Sequence, residues 1–267
     1  MITPQQQAHF DMFGFLFQKK LLSKDEVEQL IDEAERIWDG ERAQPGYKVD
    51  ERGSHRSKFF IESNPSLHWL VEDDRIYGTA AQIIGSDLLF TGSEGVVSGY
   101  GQAPWHPDRR TLWPGILGYG CVKAMIYLDE TTADRGALRV IPGSHRNPMH
   151  EGLYQMLRWA PEGDDMHSMG ETENPAEMPY GLSGDQMPAF IAESEPGDVL
   201  FFNQWLFHAA YNAWPGRRYV AAKFAQPPKN ETHLKFHHMY NWVIFDQHKA
   251  FAEHKSERIR KMARQVA

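Results

Sequence analysis

The segment His106-Pro107-Asp108, the distant His208 and the pair Arg217-Arg218 combine residue types that could do metal chemistry. Two imidazoles and one carboxylate on one face of a divalent ion leave the opposite positions open. That is the arrangement of a mononuclear non-haem Fe(II) site. A neighbouring arginine can clamp a carboxylate through two parallel hydrogen bonds. Together the residues point to an oxygenase that consumes a 2-oxo acid.

The triplet alone is weak evidence. The chain has 13 histidines, so chance supplies on the order of one His-x-Asp match. A second match, His9-Phe10-Asp11, does exist, but it falls in a predicted helix, where residues i and i+2 diverge. On an extended segment His106 and Asp108 would share a face. Pro107 suits a strand end or edge. His208 closes the apolar run from Val199, so it would bring a third ligand from another strand on a rigid scaffold. His145 follows a turn and is expected to cap or pack. His233, His237, His238, His248 and His254 lie in a polar stretch and are expected to be solvated.

These residues need elements to position them. Thr3-Pro4-Gln5-Gln6 and Ser23-Lys24-Asp25-Glu26 are helix starts with capping boxes. Val27, Leu30, Ile31, Ala34, Ile37 and Trp38 recur at helical spacing, and a buried strand is expected at Phe13–Phe17. Asp39–Ser57 reads as a loop, and Leu67–Ile84 as one or two helices ending at Gly85. Short runs rich in β-branched and aromatic residues follow, among them Leu88–Phe90, Val96–Tyr100, Val122–Leu128, Leu138–Ile141, Val199–Phe202 and Tyr219–Phe224. With turn signals between them they argue for a β-sandwich or barrel. Residues 147–187 hold little strand signal and are a candidate lid, as is the loop 39–57. The expected layout is one domain, 1–267. It has a helical part at 1–85, a β-core at 86–225 and a C-terminal extension at 226–267, of which Gln247–Val266 is expected to be helical and on the surface.

Composition sets limits. Hydrophobic residues make up 41% and charged residues 24%, ordinary values for a globular protein. A net charge of -8 argues against nucleic acid or an anionic membrane as partner. The single cysteine, Cys121, is expected to be a buried thiol. No apolar run reaches membrane-span length, and the first residues lack signal-peptide character, so a cytoplasmic protein is expected. The oligomeric state is left open.

Several ordered motifs resemble the phytanoyl-CoA dioxygenase-like family of Fe(II)- and 2-oxoglutarate-dependent oxygenases. They are Trp105-His106-Pro107-Asp108, Tyr127-Leu128-Asp129-Glu130, Gly136–His145, Pro196–Phe202, and His208 with Arg217-Arg218. The resemblance implies a mainly β fold with flanking helices, a double-stranded β-helix (jelly roll, cupin-like) with the N-terminal helices packed on one sheet. It implies Fe(II) ligation by His106, Asp108 and His208, with 2-oxoglutarate and O2 as co-substrates. An arginine after the distal histidine would hold the far carboxylate of 2-oxoglutarate. Strand alignment favours Arg217 over Arg218, and Lys58 is the matching assisting lysine. The small hydroxyl residue common two positions after the distal histidine is here Ala210. The implied reaction hydroxylates an unactivated C–H of a small molecule and releases succinate and CO2. Related halogenases lack the carboxylate, so Asp108 favours oxygenation. Arg109, Arg110 and Lys123 would suit a carboxylate, phosphate or phosphonate on the substrate. Lys123 shares strand parity with Met125 and Tyr127, and Trp105, Trp113 and Tyr100 could wall the pocket. The alternative is a non-oxidative cupin-like metal protein, either a hydrolase or isomerase or a non-catalytic binding module.

Overall fold

A computed structural model describes all residues except 49, 110, 158–182, 242–248, 265 and 267. The N-terminal helices are α1 (Pro4–Phe13), α2 (Lys24–Arg42), α3 (Trp69–Glu72) and α4 (Tyr77–Ile84). Both expected capping boxes form, Thr3 with Gln6 and Ser23 with Glu26. Gly14 ends α1 at φ 80°, and a side chain there would run into the ring of His145.

Two antiparallel sheets follow. The larger contains β1 (Phe15–Gln18), β2 (His55–Lys58), β3 (Leu89–Val97), β5 (Cys121–Tyr127), β8 (Val199–Asn203) and β10 (Arg218–Ala225), in the order β1-β8-β5-β10-β3-β2. The smaller contains β4 (Gly101–His106), β6 (Leu138–Val140), β7 (Phe190–Ala192) and β9 (His208–Ala213), in the order β4-β9-β6-β7.

Alternation along each strand sorts the two faces of the larger sheet. Val122, Ala124, Ile126, Phe201, Val220, Ala222 and Phe224 face outward. They pack against the apolar stripe of α2 (Val27, Leu30, Ala34, Ile37, Trp38) and against α3 and α4. Met125, Tyr127, Leu200, Phe202, Tyr219 and Ala221 face inward and meet Leu138, Val140 and Ala210 of the smaller sheet. Each large apolar side chain fully buried in these layers is worth about 1.5–3 kcal/mol.

Three strands were not expected from the sequence, β2, β7 and β9, while β4 supplies the extended segment expected at His106. β2 overlaps the end of the expected loop 39–57, whose start is also taken up by the end of α2. It is tied back by Glu41, which reaches His55 Nε2 at 2.7 Å and the Ser57 hydroxyl at 2.5 Å. Of the expected lid at 147–187, residues 158–182 lie outside the described residues. Its flanks form α5 (Met149–Met156) and a short turn at Gly184–Gln186. The C-terminal segment forms α6 (Glu231–Asn241), which was not expected, and, within the expected helical stretch 247–266, α7 (Lys249–Ala252) and α8 (Glu257–Met262). It is not merely superficial, because Phe251, Ile259 and Met262 are buried in the layer beneath the helices.

Candidate metal centre

Pairing of β4 with β9 sets His106 directly opposite His208. Their ring centroids are 4.4 Å apart. Asp108 lies in a bend just beyond β4, pinned by the Arg109 amide donating to the Gln204 carbonyl at 3.2 Å. His208 therefore begins β9 in the smaller sheet rather than ending the run from Val199. One potential ligand atom from each of His106, Asp108 and His208 lies within 4.8 Å of the others. Asp108 Oδ1 is 3.6 Å from His208 Nε2.

Both imidazoles are oriented by the backbone. His106 Nδ1 is 2.5 Å from the Pro104 carbonyl, and His208 Nδ1 is 2.9 Å from the Leu206 carbonyl. A carbonyl only accepts, so Nδ1 must carry the hydrogen and Nε2 keeps its lone pair. That is the tautomer a metal ligand needs. The donor set of two imidazole nitrogens and one carboxylate fits ferrous iron.

The carboxylate belongs to a buried chain of charges. Lys123 Nζ is 3.0 Å from Asp108 Oδ2 and 3.2 Å from Oδ1, and it is also 3.1 Å from Glu94 Oε1. Glu94 Oε2 is met by Arg56 Nη1 at 2.9 Å and Lys223 Nζ at 3.4 Å. Burial alone would push Asp108 and Glu94 toward the neutral acid. The surrounding cations, Lys123 foremost, outweigh it and hold both well below the usual carboxylate range. Burial likewise opposes the charge on Lys123, and Asp108 and Glu94 reverse that and raise it. Burial prevails at Lys223, which is lowered. Lys123 does face inward with Met125 and Tyr127, but carboxylates already flank its ammonium.

The two arginines separate cleanly. Arg217 is buried, with Nε donating to Ser98 Oγ at 3.2 Å and Nη1 donating to the Gly136 carbonyl. It lines a pocket of about 200 Å³ together with Arg52, Arg56, Ser98, Ala210 and Tyr219. Arg218 instead forks onto Asp129, at 2.6 and 3.0 Å, and reaches Glu35 of α2 at 2.8 Å. It ties a helix to the sheet. Lys58 pairs with Glu94 in backbone register but is exposed and does not line this pocket. Arg56, two residues earlier, does. Nothing local in the sequence marks Arg56, Ser98 or Glu94, because only strand register places them here.

Other expectations resolve individually. His9 sits in α1 and bonds the Phe15 carbonyl at 2.9 Å, a structural role. Arg109 is buried over the ring of Phe236 at 5.6 Å rather than solvent-facing. Arg110 and His248 lie outside the described residues. Trp105 is a core residue, while Tyr100 is 70% exposed, so these two do not form one wall. His145 packs in the interior as expected. His233 and His237 are buried, contrary to expectation, because α6 folds onto Tyr119 and Trp205. His237 Nδ1 meets the Tyr119 hydroxyl at 3.0 Å, and burial lowers its pKa to about 4. Cys121 is buried, and burial pushes its thiol up to about 12.

Compared with known families, residues 10–213 match the one described as phytanoyl-CoA dioxygenase (PhyH). The chain belongs to the phytanoyl-CoA dioxygenase family. Among curated relatives, the ectoine dioxygenase of Streptomyces coelicolor is 32% identical over 150 residues, covering 51% of this chain and 48% of the relative. That of Bordetella bronchiseptica is 26% identical over 228 residues, covering 80% of this chain and 72% of the relative. The chain thus spans about half the length of the first curated relatives it matches. HygX of Streptomyces hygroscopicus, solved with nickel and 2-oxoglutarate bound, superposes with a TM-score of 0.61 at 19% identity, covering 84% of this chain and 87% of HygX. The epimerase SnoN superposes with a TM-score of 0.58 at 16% identity, covering 86% and 87%. These likenesses establish the jelly-roll fold of two antiparallel sheets with flanking helices.

Proposed function

We propose that this chain is an Fe(II)- and 2-oxoglutarate-dependent dioxygenase that hydroxylates an unactivated C–H of a small molecule. The observation that carries the reading is the convergence of His106, Asp108 and His208, with the Nδ1 of each imidazole turned to a backbone carbonyl. In this reading those three side chains hold Fe(II) and Arg217 receives the far carboxylate of 2-oxoglutarate. Arg56 lines the same pocket and contributes positive charge, the part Lys58 was expected to play. Ferrous iron there, with 2-oxoglutarate and O2, would supply the oxidant for C–H cleavage and yield succinate and CO2.

This chain's own residues supply binding, geometry and shelter. The carbonyls of Pro104 and Leu206 fix the two imidazoles. Arg217 is itself fixed by Ser98 and Gly136, so its guanidinium is preorganised. Phe202, Met125 and Tyr127 close the inter-sheet side against water.

The substrate reading is an anionic small molecule. Arg56, Lys123, Lys223, Arg109 and Arg217 lie around the site, against the carboxylates of Asp108 and Glu94. Such an excess of positive charge favours a carboxylate, phosphate or phosphonate on the incoming molecule. The curated relatives are ectoine dioxygenases, and a HygX structure contains hygromycin B, so small polar molecules are the class to test. A reducing cytoplasm suits an Fe(II) site and the free thiol of Cys121.

The test is succinate formation from 2-oxoglutarate under O2 with Fe(II), screened over small carboxylates, amines and phosphonates. Iron-dependent succinate that rises with one anionic substrate class is expected. The absence of succinate with every substrate, and also without substrate, would contradict the reading. A non-oxidative cupin-like role would show metal binding with no effect of 2-oxoglutarate.

A further inference from the structure

We propose that Lys123 locks the carboxylate of Asp108 so that only one of its oxygens is available to a metal. The inference rests on the metal reading above and goes beyond it. Lys123 is a positioning residue, because it acts through Asp108.

The geometry is specific. Lys123 Nζ lies 3.0 Å from Oδ2 and 3.2 Å from Oδ1, so the ammonium is nearly equidistant from the two oxygens, with its hydrogen bond made to Oδ1. A cation that binds a carboxylate through both oxygens must also stand close to both, against the charge of that ammonium. Asp108 is then left to offer one oxygen, and Oδ1 is the oxygen within 3.6 Å of His208 Nε2. The lysine cannot easily move away. It is buried on the central strand β5, with Glu94 at 3.1 Å and the Phe202 ring at 5.6 Å. Glu94 is held in turn by Arg56 and Lys223. Breaking a buried pair by removing one partner strands the other charge, so the chain resists rearrangement.

The consequence concerns open positions. A facial triad is useful because three protein atoms leave three positions free. An aspartate that used both oxygens would fill one of them, and a co-substrate that needs two positions would lose affinity. The lock therefore preserves co-substrate binding rather than metal binding. Lys123 also places a positive charge close to the metal position. Its removal does not weaken attraction for a divalent cation.

The test uses the full chain and two variants, K123M and the double variant K123M/E94Q. The double variant removes one positive and one negative charge, so the network's net charge equals that of the unaltered protein. Anaerobic titrations read Co(II) affinity, and then 2-oxoglutarate affinity with Fe(II) by the visible charge-transfer band. Far-UV circular dichroism monitors folding. Both variants are expected to bind Co(II) within about threefold of the unaltered chain, or more tightly, while 2-oxoglutarate affinity falls at least about tenfold. Unchanged 2-oxoglutarate affinity in K123M overturns the inference. So does full recovery in K123M/E94Q, which would mean that Lys123 acts only through charge. Loss of Co(II) binding in a folded double variant also overturns it. If the unaltered protein shows no band, it is the Fe(II)/2-oxoglutarate reading itself that fails.

Discussion

Replacing Arg217 by methionine tests the proposed co-substrate pocket, and its size can be worked from the guanidinium's bonds. Nε is engaged by Ser98 Oγ at 3.2 Å, and one Nη1 hydrogen by the Gly136 carbonyl. The second Nη1 hydrogen and both on Nη2 remain for a ligand, enough for two parallel bonds to a carboxylate. Each hydrogen bond to a charged group is worth about 1.5–3 kcal/mol. Arg56 stays in the pocket and offsets part of the loss. The lower end, about 3 kcal/mol, corresponds to a fall in 2-oxoglutarate affinity of roughly 100-fold. Calorimetric titration of 2-oxoglutarate into anaerobic, metal-loaded protein reads this directly, with metal affinity unchanged as the control. Arg218→Met should behave in the opposite way. It loses Asp129 and Glu35 and with them about 1–2 kcal/mol of stability, but no co-substrate affinity. Wild-type affinity in Arg217→Met, or a large loss in Arg218→Met, would refute the assignment.

Other outcomes can be checked separately. His106→Ala and His208→Ala should each lower Fe(II) or Co(II) affinity by at least about 100-fold without unfolding the protein, measured by equilibrium dialysis; retained affinity in either removes that ligand from the set. Gly95 lies against Phe60, where an added Cβ would come within 2.5 Å of the ring, so Gly95→Ala should cost about 1–3 kcal/mol in a denaturant titration. Glu62 gives a pH dependence: burial raises its carboxyl to about 7 from an ordinary 4.5, opposed chiefly by the Ser93 hydroxyl. The folded state then binds the extra proton between those values, so stability falls as pH rises through that window, by at most about 3 kcal/mol. Glu62→Gln should gain on the wild type from pH 5 to pH 8 in thermal melts, and a constant difference would show that Glu62 does not titrate there.

Much of this was legible from local signals. The capping boxes at Thr3 and Ser23 are short-range chemistry, and both formed. The strands rich in Val, Leu and Phe announced themselves because both their faces are buried. His106, Asp108 and His208 could be named because few residue types bind iron. What failed depends on pairing. His55–Lys58 is polar and reads as loop; it becomes a strand only against the edge of β3. Only the His106 end of Gly101–His106 was expected to be extended; the rest carries a glycine, a proline and little apolar character, and it is a strand because β9 lies beside it. The choice of Arg56 over Lys58 as a pocket residue follows from that same missed strand. Lys123 was correctly placed inward, yet its partners Glu94 and Asp108 come from a distant strand and a bend. His233 and His237 misled because polar neighbours hid a helix that packs on Tyr119 and Trp205.

The most direct measurement is anaerobic addition of Fe(II) and then 2-oxoglutarate to the apo-protein, followed by visible absorption. A charge-transfer band that saturates at one equivalent of each, and that is absent in His208→Ala, is the expected result. Iron binding with no band at any 2-oxoglutarate concentration would contradict the proposed dioxygenase.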